Sequence, residues 1–97
     1  MSKKLVRNSS TEEVEILDDS EFISTALEQI STQALALKDI KESEDLLVGM
    51  AEILELMQEV LMKNNIKPID AVQYAANLRA EHGSFNEKKA VSTEDKE

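Results

Sequence analysis

No cysteine occurs among the 97 residues, so disulfides and thiolate metal sites are excluded. A single histidine also excludes a multi-histidine zinc site within one chain. One proline and two glycines are too few for the many turns of a β-sandwich or barrel. Aromatic residues make up only 3 %. Basic residues are scarce beside acidic ones, 11 against 20, which leaves a formal charge of −9. Phosphate neutralisation needs clustered Lys and Arg, so no direct nucleic-acid partner is expected. Long apolar runs are missing too. The stretch from Leu46 to Leu61 is broken by Glu52, Glu55, Gln58 and Glu59, so no membrane span is expected. The charged start is followed by Ser9-Ser10-Thr11-Glu12-Glu13 and not by an apolar stretch, so no signal peptide is expected. The expectation is a cytoplasmic protein. What is present is an apolar share of 41 %, enough for one small, acidic, mostly helical domain.

Lys4-Leu5-Val6-Arg7 and Val14-Glu15-Ile16-Leu17 read as short extended pieces joined by a polar loop. Asp18-Asp19-Ser20 offers helix N-caps, and Glu21 suits the first turn. The first helix is predicted from about Ser20 to about Leu37. Ile23, Leu27, Ile30, Ala34 and Leu37 form its stripe, widened by Phe22 and Ala26. Ser43 is a plausible cap for a second helix reaching from about Glu44 to about Lys63. Leu46, Met50, Ile53, Met57 and Val60 line one side of it, and Leu47, Leu54 and Leu61 add a parallel stripe. Such a helix is expected to pack against more than one neighbour. Pro68 suits the first position of a third helix, and Gly83 suits its end.

The fold class expected is therefore all-α: a small bundle of three main helices with a short extended N-terminal segment. The domain covers residues 1–88, and residues 89–97 form a disordered acidic tail. About 80 ordered residues give a thin core, since a domain this small buries only about 60 % of its unfolded surface. A homodimer or higher homo-oligomer is expected to complete it.

Three carboxylates draw the eye. Glu52, Glu55 and Glu59 stand three and four residues apart, on one face of the second helix. Hard oxygen ligands of this kind suit Mg²⁺ or Mn²⁺. The same spacing also makes an ordinary solvated face. Lys3, Lys4 and Arg7 form a basic cluster that suits a phosphate, or simply solubilises the terminus. His82 stands where a cation meets a helix C-terminus well. No nucleophile elbow, P-loop or dinucleotide fingerprint is present.

Four short motifs, in order, resemble the MazG-like proteins, close to the phosphoribosyl-ATP pyrophosphohydrolase-like branch of the all-α NTP pyrophosphatases. They are Lys4-Leu5-Val6-Arg7, Ile16-Leu17-Asp18-Asp19, Ala51-Glu52-Ile53-Leu54-Glu55 and His82-Gly83-Ser84-Phe85. The resemblance covers about residues 4 to 88, although Asn8-Ser9-Ser10 departs from it and the segment that follows is shortened. It implies Mg²⁺-assisted attack of water between the α and β phosphates of a nucleotide, giving a monophosphate and pyrophosphate. It also implies two acidic pairs as metal ligands, one on each of the first two helices. Here those positions hold Gln33, Ala36, Gly49 and Glu52, so three of the four carboxylates are missing. Gly49 has a structural reading as well, a close approach of another helix.

The expectation is thus a nucleotide-handling protein with impaired catalysis, acting as a binding or regulatory module. One alternative is an active pyrophosphohydrolase with a rebuilt site. Glu52, Glu55 and Glu59 would then hold Mg²⁺ or Mn²⁺, and Lys4, Arg7 or Arg79 would hold phosphates. Another is an acidic protein that occupies a basic partner surface.

Overall fold

The computed structural model describes residues 3–93. Three α-helices follow one another: α1 (Asp19–Ala36), α2 (Ser43–Lys63) and α3 (Pro68–His82), with a 3₁₀ turn at Leu37–Asp39 between the first two. No strand occurs among the described residues. The two short extended pieces run as coil. Residues 1–2 of the expected domain and residues 94–97 of the expected tail lie outside the described residues.

Local chemistry sets the helix ends. Asp18 is the N-cap of α1, and its Oδ1 accepts from the Glu21 N–H at 2.8 Å. That satisfies one of the four donors a helix start leaves unpaired. Ser43 does not cap α2. The helix begins one residue early, so Ser43 is its first helical residue and the extended Glu42 precedes it without a side-chain bond. At the other end, Asn65 takes φ 60°. The Ile66 N–H donates to Leu61 O at 2.9 Å and the Asn65 N–H to Met62 O at 3.0 Å. This paired closure stops α2. Pro68 then opens α3, and Gly83, at φ 85°, closes it by donating its N–H to Arg79 O at 2.8 Å.

Packing lies almost wholly between α1 and α2. Ala26 and Ile53 form the buried apolar core, joined by Thr25. On α2 the packed row is Gly49, Ile53, Leu56 and Val60, with Ile53 buried and the others half-buried. Leu46, Met50 and Met57, expected on the packed stripe, are exposed. On α1 the packed row passes through Phe22, Ala26, Ile30 and Gln33, while Leu27 is half-exposed and Ala34 is exposed. Both stripes were wide enough to face a neighbour in more than one rotation. The glycine decides between them. A Cβ at Gly49 would stand 2.5 Å from Leu37 Cδ2, so this side of α2 is the one that comes close to the end of α1. Helix α3 has no buried residue, and it meets α2 only thinly. The radius of gyration is 16.5 Å, against about 12.5 Å for a tightly packed chain of this length.

Candidate functional site

The N-terminal segment crosses the α1–α2 pair and is tied down at three points. Lys3 Nζ donates to Glu21 at 2.6 Å and to Glu15 at 3.0 Å. The Leu5 N–H donates to Gln29 Oε1 at 2.9 Å. Arg7 reaches Glu55 on α2 with both terminal nitrogens, at 2.9 and 2.7 Å. A planar guanidinium matches a carboxylate in this way and fixes its orientation. Hydrogen bonds from Arg7, and then its charge, hold the Glu55 carboxyl below the ordinary glutamate range. Glu55, with Glu52 behind it, raises Arg7 in turn. The hydrogen bonds to Glu21 and Glu15 likewise raise Lys3.

Beneath this segment lies a cleft of about 750 Å³. Lys4, Arg7, Leu17, Phe22 and Lys63 are among its lining residues. Lys63 Nζ sits 5.4 Å from the centre of the Phe22 ring, within cation–π reach. Lys4 makes no ion pair among the described residues. The positive charges of Lys3, Lys4, Arg7 and Lys63 are balanced by Glu12, Glu13, Glu15 and Asp19 in the same lining. The cleft is therefore mixed in charge, not strongly positive.

The expected phosphate ligands divide. Lys4 and Arg7 come together at the cleft, whereas Arg79 stands apart on α3. The expected metal ligands share α2 but have different partners. Both oxygens of Glu55 are engaged by Arg7. Glu59 pairs with Lys63 at 3.6 Å, one turn on. Glu52 is exposed and contributes to the field at Arg7. Among the described residues, no group of three or more His, Asp or Glu side chains gathers closely enough to hold a metal ion.

At the positions the resemblance assigns to the metal, Gln33 Oε1 is buried without a hydrogen-bond partner among the described residues. Gly49 is closed off by Leu37, and Ala36 and Glu52 are exposed. One neutral amide oxygen, with Leu37 closing off Gly49, does not suit Mg²⁺, which is usually held through carboxylates and substrate phosphates. His82 ends α3 with its Nε2 3.7 Å from Glu81 Oε1, both side chains largely exposed.

Gln29 and Lys63 are parts of the site that sequence reasoning missed. A glutamine accepting a backbone N–H from 24 residues away leaves no local trace in the sequence. Lys63 is visible only as a helix-ending cation. Among the described residues no helix is long and apolar enough to cross a membrane. Comparisons with family models, with curated proteins and with solved structures return no match for this chain.

Proposed function

We propose that this chain is a MazG-like nucleotide-handling protein whose catalysis is impaired, and that it works as a binding or regulatory module. The interior between α1 and α2 carries this reading. Where the resemblance puts carboxylates, the chain offers a glutamine oxygen without a partner and a glycine pressed against Leu37. A divalent ion would neutralise phosphates and activate water, but these residues do not supply its ligands. The nearby Glu55 is held by Arg7, and an ion at that carboxylate must first displace a two-point hydrogen-bonded cation.

In this reading the nucleotide would bind in the cleft under the N-terminal segment. Its volume, about 750 Å³, falls in the range of small-molecule sites. Lys4 is the cation there without an ion pair among the described residues, and the Phe22 ring lies in the same lining. The bound nucleotide is expected to be held without hydrolysis.

The test is a panel of nucleoside triphosphates with Mg²⁺ and with Mn²⁺, followed by titration calorimetry and by pyrophosphate release. Binding without pyrophosphate, weakened in Lys4→Glu, is the expected result. Metal-dependent pyrophosphate release at ordinary enzymatic rates would favour the active enzyme with Glu52, Glu55 and Glu59 as ligands. Absence of nucleotide binding under every condition would sink both readings.

A further inference from the structure

Arg7 belongs to two places at once. It lines the cleft under the N-terminal segment, yet both of its terminal nitrogens are engaged by Glu55 on α2, which is not among the lining residues. The other ties of the segment run elsewhere. Lys3 donates to Glu21 on α1 and to Glu15 within the segment itself, and the Leu5 N–H donates to Gln29 on α1. Among the described residues the Arg7–Glu55 pair is therefore the one hydrogen-bonded or ionic fastening between the segment and α2. Its two side chains are 64 % and 53 % exposed. Charge pairs so open to water hold weakly.

We propose that this fastening is a latch released by a phosphate anion in the cleft: the anion takes the Arg7 fork from the Glu55 carboxylate, and the segment loses its one polar tie to α2 while staying bound to α1. The latch presupposes the nucleotide site proposed above and regulates it.

Two properties of the site make the exchange work. A guanidinium receives a carboxylate and a phosphate through the same pair of parallel N–H bonds, so one can replace the other without a new geometry. Charge supplies the direction. With Arg7 spent on Glu55, the lining is left with three cations against four acids, which does not welcome an anion. Turned inward, Arg7 evens that count and joins Lys4 and Lys63 around the phosphate chain. Glu55 and the anion thus compete for one group, and each weakens the hold of the other by the same factor.

Pyrophosphate is the probe, because it carries a phosphate chain without a base, and a nucleoside triphosphate is titrated beside it. Calorimetry without divalent metal compares wild type, Glu55→Gln, Arg7→Gln and the double variant, and far-UV circular dichroism checks that each keeps its helices. Glu55→Gln frees Arg7 and should tighten pyrophosphate by about two- to five-fold, the range an exposed pair can hold back. Arg7→Gln should weaken it, and in that background Glu55→Gln should have almost no effect. Equal tightening in both backgrounds is plain removal of charge and overturns the latch. So does a wild-type background in which Glu55→Gln changes nothing, even though pyrophosphate and the triphosphate both bind. The expected pattern with pyrophosphate, but no binding of the triphosphate, upholds the latch and defeats only the nucleotide reading. Absence of pyrophosphate binding in all four proteins overturns the latch and the anion site together.

Discussion

Replacing Gly49 by alanine sets two effects of similar size against each other. Alanine inside a helix is favoured over glycine by about 1 kcal/mol. The new methyl, however, would stand 2.5 Å from Leu37 Cδ2, 3.3 Å from Cδ1 and 3.4 Å from Cγ. Ordinary carbon contacts lie near 3.5–4.0 Å, so Leu37 must yield. Turning only its terminal methyls leaves Cγ close, and the whole side chain has to leave its rotamer, at about 0.5–1.5 kcal/mol. The net change in wild-type background should then fall within about 0.5 kcal/mol of zero. With Leu37→Ala already in place the obstacle is gone, and Gly49→Ala should stabilise by about 1 kcal/mol. Urea denaturation followed by circular dichroism, at one fixed protein concentration, closes the cycle. The expected coupling between the two sites is about 1 kcal/mol. An equal gain in both backgrounds would refute the close approach. The same geometry explains why a carboxylate cannot simply be restored at position 49, where the metal positions of the resemblance would want one.

Ile53→Ala removes the one large side chain that is almost fully buried among the described residues, at 5 % exposure. Its neighbours are partly open and can close in, so the loss in urea denaturation should sit low in the usual range, about 2–3 kcal/mol. Leu35→Ala, at a side chain 66 % exposed, should stay within about 0.5 kcal/mol. Asp18→Ala deletes the α1 cap and should cost about 1 kcal/mol by the same assay, whereas Asp18→Ser should restore most of it. Glu55 has a folded pKa below its ordinary 4.5. The stabilisation it provides is complete above the unfolded value and is lost as pH falls through the depressed folded one. Magnetic-resonance titration of the Leu5 and Arg7 amides should show a midpoint below 4.5 that disappears in Glu55→Gln. A midpoint at or above that value would count against the Arg7 clamp.

Helix positions were legible because capping and periodicity are local. Asp18, Pro68 and Gly83 stand where their chemistry places them, and each bound falls within a residue or so of expectation. The rotation of each helix was not legible. Leu27 and Met50 belong to apolar arcs broad enough to satisfy two orientations, and only the approach of Leu37 to Gly49 distinguishes them. Ser43 shows the same limit at a helix start, where any of several polar residues can precede the first turn. At the candidate site, Lys4 and Arg7 could be grouped because they are neighbours in the chain. The union of Arg7 with Glu55, 48 residues away, depends on how the N-terminal segment crosses the helices. No spacing rule contains that path. Arg79 was grouped with them by charge alone, and the separate course of α3 parts it from the cleft.

Helix α3 keeps its shape mainly through its two ends, with only a thin contact to α2 along its flank. Fifteen residues with none buried are near the shortest length at which a lone helix persists in water. Amide protons of α3 should therefore exchange with solvent long before those around Ile53, because local opening there disturbs almost nothing else. The molecule is graded in firmness along its length, rigid at α1 and α2 and easily unwound beyond Lys67. Proteolytic nicking should accordingly start in its last third and leave the α1–α2 hairpin intact.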